Sequence, residues 1–254
     1  LVAPEKAPFS LPVFIGITLF CVAVIIFYCF PQIFGFKKMP PAPPQPPRAK
    51  IPLPIWFWVG LLMWAPTLFV LLGHFQEPRW LVNWACVPLF WGFTLLLDGW
   101  VYVRTGGKSL VASAPRELLA MGAASISGWM IFEWLNFFVY ENWVYPKGDL
   151  IPDDEFVVYA IMGSSGLMPM VFEWYSLFHS FEGFREKYRQ GPKVIIARWV
   201  KVVVIAALLI GMFAISAYPD TLYGLLWIAP LVILAIVLNL ADIHTPFTYL
   251  KVGN

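Results

Sequence analysis

The sequence predicts an all-α fold: a polytopic transmembrane helical bundle of about seven spans, N-terminus outside and C-terminus cytoplasmic. Three observations predict it. Of the 254 residues, 60% are hydrophobic and only 13% charged, where a soluble domain carries ~25% charged residues; mean hydropathy is +0.73. Seven apolar runs are each long enough for a helix to cross a bilayer, which takes ~20 residues. Lys and Arg sort to alternate gaps between those runs.

The runs are 10–32, 54–74, 81–103, 117–140, 155–179, 195–217 and 222–240. None reads as a barrel strand, because stretches such as Val202 to Ala217 are apolar on every side instead of alternating. The first run lacks a basic n-region and an A-x-A-like exit, so it reads as a retained helix. Residues 1–36 form the N-terminal transmembrane helix. The 37–53 segment holds Pro40, Pro41, Pro43, Pro44, Pro46 and Pro47 between Lys37, Lys38 and Arg48, Lys50. Proline has no backbone donor and favours extended chain, so this segment reads as a stiff basic cytoplasmic linker. Residues 54–254 form a six-helix transmembrane body. Helix 1, so tethered, is expected to stand apart and pack against another subunit.

The basic residues set the orientation. Lys37, Lys38, Arg48 and Lys50 lie in the first connection, and Arg104, Lys108 and Arg116 in the third. Arg185, Lys187, Arg189, Lys193, Arg198 and Lys201 lie at or near the fifth, and Lys251 in the tail. Only Lys6, Arg79 and Lys147 of the 17 fall on the other side. The positive-inside rule makes the first side cytoplasmic. The outer 141–155 connection is acidic, with Glu141, Asp149, Asp153, Asp154 and Glu155. Trp56, Trp58, Trp80, Trp84, Trp100, Trp143 and Trp199 fall near span ends, as an interfacial belt requires.

Three carboxylates interrupt the runs: Asp98, Glu133 and Glu173. A charge at a helix centre costs ~2.5–3.5 kcal/mol on insertion scales, and such residues usually face the bundle interior. Glu133 lies about 25 Å along its span from Arg116, at ~1.5 Å per residue, hence in the outer leaflet. Glu173 and Asp98 fall toward the inner leaflet. An inner group of Asp98, Arg104, Glu173 and His179 and an outer group of Glu133, Asn136 and Asn142 are therefore expected. They read either as interhelical hydrogen-bond clusters or as two stations of a proton or ion route. A route needs mid-membrane polar groups, and Ser125, Ser127, Ser164 and Ser165 are the candidates. In the first reading Arg104 neutralises Asp98.

Met130-Ile-Phe-Glu-Trp134 recurs as Met170-Val-Phe-Glu-Trp174, with Phe138 and Phe178 extending the match. So short a match does not establish an inverted repeat. Gly163-Ser-Ser-Gly166 followed by Pro169 predicts a kink in the fifth span. Ala120, Ala124 and Gly128, and Ala207 and Gly211, are spaced for close helix packing.

Other motifs fail. Arg104-Thr-Gly-Gly-Lys-Ser109 echoes a phosphate loop, but the pattern needs glycine where Tyr102 stands, so it reads as a cytoplasmic turn. Cys21, Cys29 and Cys86 lie in apolar runs without a C-x-x-C pair. No H-E-x-x-H or E-x-x-H occurs, so a zinc protease or di-iron bundle has no support. The 222–240 run has no lysine for a Schiff base. His74, His179 and His244 share no helix face, which disfavours bis-histidine haem; a single axial pigment ligand stays open. No cofactor and no metal are predicted, bound lipid is expected, and the net charge of +2 argues against nucleic acid.

The leading expectation is an accessory or scaffolding subunit of a larger bacterial, energy-transducing complex, respiratory or photosynthetic, in the cytoplasmic membrane, with other integral membrane subunits as partners. No catalytic motif marks the chain as an enzyme. The alternatives are a proton- or ion-coupled transporter using the intramembrane carboxylates, and an enzyme acting on lipid or isoprenoid.

Overall fold

The computed structural model describes residues 9–37, 51–138, 152–188, 191 and 196–243. The 38–50 part of the proline-rich linker, residues 139–151 with Asn142 and Trp143, His244 and Lys251 lie outside the described residues. All regular structure among the described residues is helical. Five helical segments are long and apolar enough to cross a membrane: Leu11–Cys29, Ile55–Leu72, Cys86–Arg104, Pro115–Phe137 and Glu155–His179. That is the make-up of a multi-pass integral membrane protein. The remaining two runs hold shorter helices, Arg198–Ala214 and Leu225–Leu240. At ~1.5 Å per residue each is about 25 Å long, against a hydrocarbon core of ~30 Å.

The chain divides into two compact units, Pro41–Arg185 and Leu1–Pro40 with Glu186–Asn254. In the first, α2 is Ile55–Leu72, α3 Arg79–Asn83, α4 Cys86–Arg104, α5 Leu110–Ser113, α6 Pro115–Phe138, α7 Asp153–Ser165 and α8 Leu167–His179. The 81–103 run is thus two helices. Pro88 has no N–H for the Trp84 carbonyl, which instead takes the Val87 N–H at 3.1 Å in a tighter turn.

α2 and α4 form the most extensive pairing of this unit. Glycine makes it possible: a Cβ on Gly60 would stand 2.6 Å from the Gly92 carbonyl oxygen, and one on Gly99 would stand 2.7 Å from the Phe57 Cβ. α8 packs on α4, and α6 packs on α7 and α8. The packed face of α6 carries the buried residues Gly122, Ser125, Glu133 and Asn136.

The 155–179 run breaks at Gly166. Pro169 cannot donate to the Ser165 carbonyl, and the ladder is also opened one residue earlier. There the Ser125 hydroxyl donates to the Ser164 carbonyl at 2.5 Å and accepts from the Met168 N–H at 3.1 Å. A helix would ordinarily close that pair directly. A side chain inserted in the ladder is a recognised cause of a kink.

In the other unit, α1 (Leu11–Cys29) has no buried residue. Its C-terminal carbonyls are satisfied by the end of α9 (Glu182–Tyr188). Lys187 Nζ donates to Tyr28 O at 2.7 Å and Cys29 O at 2.9 Å, and the Tyr188 hydroxyl donates to Tyr28 O at 2.7 Å. A cation at a helix C-terminus is favoured by the dipole. Phe27 packs against Phe34, Phe36 and Tyr188. Burial, with Tyr28 and Cys29 close by, pushes the Tyr188 phenol above its usual range. After the short α11 (Pro219–Leu222), α12 (Leu225–Leu240) packs on α10 (Arg198–Ala214). Gly211 lies under Leu225 there, and Lys201 Nζ donates to Asn239 Oδ1 at 2.6 Å.

Candidate functional site

The close approach of α2 and α4 at Gly99 and Phe57 sets the neighbouring residues, Trp56 and Asp98, against each other. Asp98 is fully buried, at 0% exposure. The Trp56 indole N–H donates to Asp98 Oδ1 at 2.7 Å. The Ser109 hydroxyl donates to the same oxygen at 2.8 Å, and the Val111 backbone N–H donates to Oδ2 at 2.8 Å.

The last two contacts come from the turn after α4. Gly106 and Gly107 adopt φ of 78° and 94°, which side-chain-bearing residues rarely hold. Gly107 N–H closes on the Tyr102 carbonyl at 2.8 Å, the long bond of a Schellman-type helix end. The Thr105 hydroxyl bonds the Lys108 carbonyl. The chain reverses into α5, whose N-cap is Ser109. The segment that echoes a phosphate loop is thus the element that closes over Asp98. Three donors on one buried carboxylate compensate its lost hydration.

α8 brings Glu173 to the same place, also at 0% exposure. Its carboxyl lies within electrostatic reach of Asp98 and next to the Leu110 backbone amide. Neither oxygen has a hydrogen-bond partner of ordinary geometry. Aromatic rings surround the approach of α8: Phe93 stacks on Trp64 at 5.6 Å and meets Trp174 at 5.7 Å.

The expected inner group is therefore assembled in part. Asp98 and Glu173 come together, and Arg104 and His179 take other places. Arg104 Nε donates to Ser180 Oγ at 2.7 Å, Nη2 donates to Ser180 O at 3.2 Å, and the guanidinium lies 3.6 Å over the Phe181 ring. It lines an open cleft of about 640 Å³ with Phe178, Phe181, Glu182 and Phe184. His179 is exposed and stacks on Tyr175 at 5.9 Å. Three of the four serines expected at mid-membrane converge at the helix break: Ser125 on Ser164, and Ser165 accepting the Trp91 indole N–H at 2.9 Å. Ser127 instead bonds back to Ala123 O.

On α6, Glu133 (6% exposed) and Asn136 (4%) are buried, and the Trp129 indole donates to Glu133 Oε1 at 2.8 Å. The two short sequence copies present matching faces: Glu133 and Glu173 are buried, whereas Ile131 and Val171 are each 60% exposed. Among the small-residue positions, Ala120, Ala124 and Ala207 are exposed. A Cβ on Gly128 would meet nothing within 4 Å, whereas one on Gly211 would meet Leu225 Cδ1 at 2.7 Å.

Sequence reasoning missed Trp56, Ser109 and the Val111 amide. By sequence alone Trp56 reads as part of the interfacial belt, and Ser109 as part of a turn. The legible signal was a serine opening a short helix just past a span that carries a buried aspartate. Among the described residues no three His, Cys, Asp or Glu side chains converge as a metal site. No protein-family model, curated protein or solved structure matches this chain.

Proposed function

We propose that this chain is a multi-pass membrane protein that handles protons or couples to them, with Asp98 and Glu173 as its proton-exchanging pair. The observation that carries this reading is the meeting of two fully buried carboxyls from adjoining spans. Two carboxylates cannot both hold their charge at such a site, so the pair retains a proton that belongs to both. The three donors around Asp98 favour negative charge there, and Glu173 lacks a matching set. A proton can enter a closed site that admits no larger substrate. The serines at the helix break and the Glu133–Asn136 face of α6 supply the polar groups between the pair and the opposite leaflet. The chain carries seven spans in this reading, with 195–217 and 222–240 completing the five longer helices. Its basic connections face the cytoplasm of a bacterial cell.

The test is proton flux into liposomes that carry the purified chain, driven by a pH step and followed with an entrapped dye. Glu173→Gln is expected to abolish the protein-dependent flux while inserting normally. Equal flux in the two proteins would remove the reading.

A second reading, an accessory subunit of a larger membrane complex, is favoured by the Ala120–Ala124–Gly128 stripe. Ala120 and Ala124 are exposed, and a Cβ on Gly128 would meet nothing within 4 Å. Stoichiometric membrane subunits retained after mild detergent extraction, and lost in Gly128→Leu, would support that role. A lone chain in both preparations would oppose it.

A further inference from the structure

The break in the hydrogen-bond ladder between α7 and α8 has a specific partner on α6, and its position bears on the carboxyl pair. In an unbroken helix the Ser164 carbonyl would bond the Met168 N–H. The Ser125 hydroxyl occupies that link, donating to the first at 2.5 Å and accepting from the second at 3.1 Å. Ser125 and Ser164 are both buried, so no water is at hand to replace the hydroxyl. Next along the chain, Gly166 adopts a tighter bond to the Gly163 carbonyl at 3.3 Å, and Pro169 leaves the Ser165 carbonyl without its usual donor. The α6 backbone approaches closely here, since a Cβ on Gly122 would lie 3.5 Å from that same Ser165 carbonyl oxygen. Gly166 itself sits against α4, where a Cβ would meet the Phe90 Cβ at 3.0 Å. The break is thus held between α6 and α4, and Glu173 lies two turns beyond it on α8, beside Asp98.

We propose that Ser125 is a positioning residue for the carboxyl pair: its inserted hydroxyl sets the course of α8 that holds Glu173 against Asp98. This rests on the reading of that pair as proton-bearing. An alanine or valine at 125 leaves the Ser164 carbonyl and Met168 N–H to find each other. The course of α8 then shifts and Glu173 draws away from Asp98. A threonine keeps the hydroxyl and its inserted link.

The experiment uses the full chain in lipid nanodiscs and infrared spectroscopy of the carboxylic acid C=O stretch, with Glu173→Gln identifying the Glu173 band. Ser125→Ala and Ser125→Val are expected to shift that band, as for an acid moved away from the neighbouring Asp98 carboxyl. Ser125→Thr is expected to keep the wild-type band. An unmoved band in the alanine and valine variants overturns the inference. So does loss of helical circular dichroism in those two with Ser125→Thr normal, which reduces the hydroxyl to a structural plug. A wild-type spectrum with no band removed by Glu173→Gln instead overturns the underlying reading of the pair.

Discussion

Asp98 and Glu173 are both carboxyls, both buried and both in spans, yet their surroundings differ. Asp98 faces three donors: Trp56 Nε1, Ser109 Oγ and Val111 N. An amide in its place has one acceptor oxygen and directs its NH2 at a donor. Leaving a buried donor unsatisfied costs ~1–3 kcal/mol. Asp98→Asn is therefore expected to be destabilised by about that amount. Glu173→Gln, which offers an N–H to Asp98, is expected to keep close to wild-type stability. Thermal unfolding of the two variants in the same detergent checks this, and equal midpoints would refute the asymmetry.

At the scale of helices, α2 and α4 depend on glycine at the crossing. A Cβ at Gly60 would press on backbone, not on the end of a flexible side chain. Gly60→Leu is expected to cost ~1–3 kcal/mol as an overpacked contact. It also pulls Trp56 off Asp98, so the indole environment near Asp98 is expected to become more polar. Tryptophan fluorescence during denaturation reads both effects, and a Gly60→Leu variant with wild-type stability would contradict the packing. The sequence made the spans legible because lipid imposes length and apolarity on each helix separately. It also marked the break at Gly166 through Gly163, Gly166 and Pro169. Partner choice between helices was not legible. Ala120, Ala124 and Gly128 have the spacing of a packing face, but α6 turns Gly122, Ser125, Glu133 and Asn136 inward. Spacing within one helix does not say which of its faces meets a neighbour; Gly60 and Gly92 matter because they lie opposite each other, and Gly99 because it lies against Phe57.

Across the whole molecule, the same physics explains what sequence reading found and what it missed. Asp98, Glu133 and Glu173 stood out because a charge is costly in hydrocarbon, and all three are buried. The Asp98–Arg104 pairing followed from charge alone, whereas Arg104 lies at the end of α4, where Ser180 and the Phe181 ring hold it. The bias of Lys and Arg toward alternate connections gives a testable topology for the full chain. A single cysteine at Lys108 is expected to react with an impermeant thiol reagent only from the cytoplasmic side, and one at Arg79 only from outside, in a background without Cys21, Cys29 and Cys86. Labelling of both from one side would reverse or fold the topology differently.

The most direct measurement is the infrared spectrum of the wild-type chain and Glu173→Gln in lipid nanodiscs at neutral pH. A protonated carboxylic acid band is expected in the wild type, removed by Glu173→Gln and shifted by hydrogen–deuterium exchange. Identical spectra in the carboxylic acid region would contradict the claim that this buried pair holds a proton.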